Sequence, residues 1–146
     1  MPDALGTTIT LELPFDVAMA RTRDALKTEG FGILTEIDVA ATFKAKLDRE
    51  FRPYVILGAC NPPLAWRALH ANAEVGLLLP CNVTVEADEA GRTIVRIVDP
   101  MQMLAAADPA ANADIQSVAA EAGERLARVA GALGGRTSSE GRTGGK

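Results

Sequence analysis

The residues best suited to chemistry in this chain are its only two thiols. Each precedes an asparagine and lies close to proline: Cys60-Asn61 in the run Gly58-Ala59-Cys60-Asn61-Pro62-Pro63, and Cys81-Asn82 in Leu78-Leu79-Pro80-Cys81-Asn82. Each pair sits at the end of an apolar run or inside one, so folding can bring two distant thiols to one partly enclosed place. Cys60 falls between the end of an apolar strand and the start of a helix, where the positive end of the helix dipole can lower a thiol pKa. Pro62 and Pro63 oppose that effect by removing two N–H donors, and Asn61, as the helix cap, occupies a third. A phosphate cradle is therefore disfavoured, and a reactive thiol remains an expectation. Cys81 alternates with Leu79 and Val83 on a core face, so Cys60 is expected to be the more exposed and more reactive of the two.

Other chemistries find less support. His70 is the only histidine, and four positions after Trp66 on a helix it reads as a surface residue beside an aromatic. Met101 and Met103 complete, with Cys60 and Cys81, a soft Cu(I)-type ligand set that the spacing does not demand; core filling is the commoner role of such methionines. No zinc pattern or C-x-x-C redox pair is present. Asp16, Asp38 and Asp108 have capping roles, and with one histidine and no serine elbow no hydrolytic triad can be assembled. An enzyme is thus disfavoured, and no cofactor is indicated. A hairpin across Asp88-Glu89-Ala90-Gly91 would bring Asn82 near Asp99, giving Cys60, Asn61, Cys81, Asn82 and Asp99 as the candidate ligand-binding residues. Asn and Asp side chains at such places also commonly tie loops to backbone.

The elements that must position these residues follow from periodicity. Thr7–Leu13 alternates as a half-buried strand that Pro14 ends. Phe15, Ala18, Met19, Thr22, Ala25 and Leu26 fall at helical spacing, with Gly30 at the C-terminal cap. Gly32–Ile37 reads as a strand and Asp38 as the cap of a second helix with a buried stripe of Ala40, Phe43, Leu47 and Phe51. The continuously apolar Tyr54–Ala59 suits a central strand covered on both faces. Asn61 caps a helix whose inner face is Leu64, Ala65, Ala68 and Leu69. Leu77–Ala87 alternates as a strand that Pro80 must bulge, break or confine to an edge, and Thr93–Asp99 returns as its hairpin partner. Asp108-Pro109 marks the start of a long helix running to about Leu133. Its stripe of Ile115, Ala119, Ala122, Leu126, Val129 and Leu133 has coiled-coil-like spacing, although packing on its own subunit is favoured over an intersubunit seam.

The 146 residues, 48% of them hydrophobic, suffice for one globular domain with its own core, assigned to 1–135. Residues 136–146 contain only Gly, Ser, Thr, Arg, Glu and Lys and are expected to form a disordered polar tail. A net charge of −4 and 4% aromatics provide neither a basic field nor stacking platforms, so neither nucleic acid nor membrane is an expected partner. The N-terminus lacks the features of a signal peptide, and a cytoplasmic location with reduced thiols is the expectation.

Gly30-Phe31-Gly32 leading into Thr35-Glu36-Ile37-Asp38, Leu57-Gly58-Ala59-Cys60-Asn61-Pro62, Gly76-Leu77-Leu78-Leu79-Pro80-Cys81-Asn82-Val83 and Asp99-Pro100 together resemble the bacterial and archaeal family called domain of unknown function 302. The likeness spans about residues 7–105. It implies an α+β fold in which a curved, mostly antiparallel sheet carries helices on one face, and a tendency to form homodimers. It implies no established activity. Two functions are therefore expected: a binding or sensing domain whose two Cys-Asn motifs receive a small molecule, a soft metal or a sulfur-containing group, or a dimeric interaction module in which those motifs only shape the core.

Overall fold

The computed structural model describes residues 5–139. Its strands are β1 (Gly6–Leu11), β2 (Gly32–Asp38), β3 (Tyr54–Cys60), β4 (Cys81–Ala87), β5 (Thr93–Val98) and β6 (Arg136–Ser139). They form one antiparallel sheet in the order β2-β3-β4-β5-β1-β6. The helices are α1 (Phe15–Thr28), α2 (Val39–Leu47), α3 (Pro62–Ala71), a single turn α4 (Pro100–Met103) and the long α5 (Ala113–Leu133). The fold is α+β.

Alternation puts Ile9, Leu11, Val55, Leu57, Ala59, Cys81, Val83, Val85, Val95 and Ile97 on the buried face of the sheet. There they meet Met19 and Leu26 of α1 and Leu126, Val129 and Leu133 of α5. A second apolar cluster joins Leu64 and Ala68 of α3 to Val75, Leu104 and the first half of α5, at Ile115, Val118, Ala119 and Ala122. The whole expected stripe of α5 is thus buried within one chain, half of it in each cluster. Among the described residues no helix is long and apolar enough to cross a membrane.

Four elements differ from the sequence-based expectations, each for a local reason. Helix α2 has no buried residue, and Leu47 of its expected stripe is 59% exposed. It follows the edge strand β2, where no second layer covers it, and Phe43 instead packs edge-on against Phe51, with ring centres 5.2 Å apart. Strand β4 begins only at Cys81: Pro80 has no N–H for the ladder, the Leu79–Pro80 peptide is cis, and Ala73–Leu78 coils as a 3-10 helix with Leu77 exposed. Helix α5 starts at Ala113 rather than near Asp108-Pro109, because the Asn112 side chain accepts from the N–H groups of Asp114 and Ile115 at 3.0 and 3.2 Å. Asp108 is left-handed and Pro109–Ala111 forms a separate 3-10 turn. Lastly, Arg136–Ser139, the first four residues of the expected tail, form β6 and pair with Thr7–Thr10 of β1. The other tail residues, 140–146, lie outside the described part.

Candidate functional site: an apolar cavity between two thiols

The two apolar clusters do not close on each other completely. Between them lies an open-mouthed cavity of about 260 Å³. Its wall takes Phe31, Ala59 and Cys81 from the sheet cluster and Leu64, Ala68, Leu104, Val118 and Ala122 from the helical one, with Cys60, Asn61, Met103 and the Leu79-Pro80 segment completing it. Leu34 of β2 and Leu69 of α3, 66% and 43% exposed, also contribute and form an apolar rim. Small side chains leave this space: Ala59, Ala65, Ala68 and Ala122 stand where larger residues would fill it.

The register brings Cys81 to this wall, and the end of β3 at Cys60, just before α3, brings the other thiol. Ala59 of β3 pairs with Cys81 of β4, so Cys60 follows one residue beyond Cys81 on the neighbouring strand. Gly58 permits the close approach of the segments around it: a Cβ there would stand 2.2 Å from Thr35 Oγ1 and 2.8 Å from Pro80 Cγ. Leu34 lies at a register irregularity of β2 between Ile33 and Thr35.

Asn61 secures the junction after Cys60. Its Oδ1 accepts from the Leu64 N–H at 3.3 Å, capping α3 ahead of Pro62 and Pro63 as expected. Its Nδ2 donates to the Glu29 carbonyl at 3.3 Å, and the Arg125 guanidinium donates to that same oxygen at 3.2 Å. The ends of α1 and α3 and the middle of α5 are therefore tied together beside the cavity. Gly30, at φ +84°, is required there, since a Cβ would meet Asn61 Nδ2 at 2.9 Å. Both ends of the Asn61 amide are thus engaged within the protein.

The thiols behave differently from the dipole-based expectation. Burial pushes the Cys60 pKa up rather than down, because desolvation of the thiolate outweighs a helix terminus whose first donors are missing. Cys81 is buried, and its thiol is pushed up to about 11, first by burial and then by the neighbouring Cys60 charge. Both are neutral at pH 7. Cys60 is only half-buried, as its place at a strand end implies.

Two of the five candidate residues do not join the cavity. Asn82 is in register with Gly58 on the opposite face of the sheet, exposed in a second open cavity of about 380 Å³ that Tyr54, Thr84 and Arg96 also line. Asp99 caps α4, its Oδ1 accepting from the Met101 N–H at 2.9 Å, and lines neither feature. Strand alternation turns Asn82 to the face opposite the cavity, and the Asp99 carboxylate caps the short helix α4. Of the soft ligand set, Met103 lines the cavity with both cysteines, while Met101 is 42% exposed and lies outside it. Among the described residues no three His, Cys, Asp or Glu side chains cluster to hold a metal. His70 stacks on Trp66 at 4.1 Å between ring centres on the surface of α3, as expected. The contributions of Leu104, Val118 and Ala122 were not legible as a site, since apolar periodicity marks core and cavity wall alike.

Residues 7–133 match the family model described as Domain of unknown function DUF302. The chain belongs to this family. Among solved structures it is similar to an uncharacterized conserved DUF302 protein from Bacillus stearothermophilus, at 31% identity and a TM-score of 0.77, over 89% of this chain and 99% of that one. No curated protein matches the chain.

Proposed function

We propose that this DUF302 domain is a small-molecule binding or sensing protein whose ligand occupies the cavity between Cys60 and Cys81. The observation that carries this reading is the convergence of the only two thiols of the chain on one concave, open cavity. Concavity, an apolar lining and a few polar groups at the wall are the usual marks of a ligand site. The half-buried Cys60 at the wall offers a reporter, because an occupant would cover it. The test is native mass spectrometry of the purified protein combined with alkylation of Cys60 before and after extraction with organic solvent and refolding. A released small molecule and faster alkylation afterwards support the reading; an unliganded mass, together with no compound in a fragment screen that protects Cys60, would sink it.

A second reading, a homodimeric interaction module, is favoured by a different observation. Among the described residues the outer edge of strand β2 has no partner strand, and β2 carries the exposed Leu34 and Ile37, the latter 49% exposed. Sedimentation at micromolar concentration tests it, and a monomer there would remove it.

A further inference from the structure

The character of the cavity wall narrows the class of molecule it can take. This narrowing rests on the binding reading above. Among the described residues, no Asp, Glu, Lys, Arg or His side chain lines the cavity. Its one amide, Asn61, already accepts from Leu64 and donates to Glu29. The helix end that might have received an anion is spent: Pro62 and Pro63 have no N–H, and the Leu64 N–H points to Asn61. The exposed side chains in its wall include the apolar Leu34 and Leu69. We infer that the ligand is an uncharged, mainly apolar organic molecule of about ten non-hydrogen atoms, since an apolar cavity of about 150 Å³ takes a benzene ring and this one is about 260 Å³.

The exclusions are physical. A carboxylate or phosphate entering this wall gives up its hydration for no charged donor, only for the weak S–H groups of Cys60 and Cys81 and the second N–H of Asn61, a cost that apolar contact over a small ligand does not offset. A bare metal ion would engage at most the sulfurs of Cys60, Cys81 and Met103 and leave most of the volume unfilled. Neutral thiols and a thioether are instead polarisable contact surface, well suited to an aliphatic chain or to the edge of an aromatic ring. Elongated neutral molecules, such as medium-chain alcohols, fit an open-mouthed space between a strand edge and a helix.

A matched pair of probes tests the charge rule. Intact protein at pH 8 is titrated with 1-octanol and, separately, with octanoate, and in a third arm with Cu(I) under reducing, oxygen-free conditions. Melting temperature and the alkylation rate of Cys60 are followed in each. The expected result is that octanol raises the melting temperature and slows Cys60 alkylation several-fold, while octanoate at equal concentration does neither. Ala65→Phe, at a half-buried position of the wall, should abolish the octanol effects while keeping the far-UV spectrum. If that variant fails to fold, Leu34→Asp at the exposed rim should weaken octanol protection several-fold. Octanoate acting as well as octanol would overturn the charge rule while leaving the binding reading standing. So would tight Cu(I) binding with no octanol effect. Silence in all three arms would overturn the inference and the binding reading together.

Discussion

At Cys60-Asn61 the thiol is half-buried and the amide buried, whereas at Cys81-Asn82 the thiol is buried and the amide faces solvent. The residue types are identical and the backbones differ. Cys81-Asn82 lies within a regular strand, where successive side chains point to opposite faces, so the pair is divided between the core and the open side of the sheet. Cys60-Asn61 straddles a strand end and a helix start, and the turn of the chain brings both side chains to the same cavity wall. A repeated dipeptide is thus not a repeated site. One copy builds a wall and a cap; the other gives a single thiol to that wall.

The largest expected consequence of this difference is electrostatic. Cys81→Asp places a carboxylate at a buried position in a wall that has no Lys, Arg or His among its described residues, and should cost roughly 3 kcal/mol or more, enough to unfold a marginal domain. Cys60→Asp, at the half-buried strand end, should cost only about 1 kcal/mol. Urea unfolding of both variants measures the gap. Similar losses would mean that the two thiols share one environment, against the burial seen here.

The same asymmetry predicts an alkaline weakness. A thiol whose folded pKa is raised stays protonated in the native state while the unfolded chain loses its proton, so its contribution is complete below the ordinary thiol value and is lost as pH rises through the folded one. For Cys81 the window runs from 9.0 to about 11. Stability should fall across that range, and Cys81→Ala should flatten the decline measurably, as should Cys60→Ala to a lesser degree because its thiol is less buried. Unfolding free energies measured from pH 8 to 10.5 in the wild type and both variants check this. Parallel curves would contradict the assignment of the decline to the thiols.

The two asparagines carry the next contrast. Asn61→Ala removes the α3 cap and one of two donors to the Glu29 carbonyl, and should cost about 1–2 kcal/mol. Because Arg125 still holds Glu29, the change should loosen the cavity end rather than open the fold. Faster hydrogen exchange at the Leu64 amide would locate the effect, and unchanged exchange there would show that Pro62 and Pro63 set the helix start without help.

Much of this arrangement could be read from residue order alone. The alternation of Thr7–Leu13, the apolar run Tyr54–Ala59, the Asn61-Pro62-Pro63 helix start and the heptad-like α5 stripe each reflect a local periodicity or cap and form the expected elements, although β1 ends at Leu11 rather than Leu13 and β3 is fully covered on one face only, with Tyr54 and Ile56 half-buried. What stayed illegible depended on neighbours distant in sequence. The exposure of α2 follows from the place of β2 at the sheet edge, which no pattern within Val39–Leu47 encodes. Polar Arg136–Ser139 becomes a strand because β1 leaves one edge to pair with. The cavity arises from the mismatch of two clusters whose residues come from many separate segments, each with an ordinary core pattern. The dipole argument for Cys60 failed for a related reason: it counted the near helix end and left out the apolar walls that dominate the thiol.

The smallest expected effect is at Asn82, and it is the one that can reopen the comparison. Its side chain stands on the open face of the sheet, beside Thr84 and Arg96, and an isolated surface amide there contributes within about 0.5 kcal/mol. Asn82→Ala should therefore leave the melting temperature and the Cys60 alkylation rate unchanged, in contrast to Asn61→Ala. The face is not uniformly polar, since Ile37 is half-exposed on the edge strand and Arg96 reaches across to the Glu86 carboxylate that Arg52 also holds. If this face is covered by a second copy, Asn82 would be desolvated in the assembly, and its removal would leave a partner group unpaired at a cost of about 1–3 kcal/mol. The two cases separate by dilution: a loss that grows with protein concentration assigns Asn82 to an interface, while a loss that is absent at every concentration leaves the second Cys-Asn pair with a single working residue, Cys81.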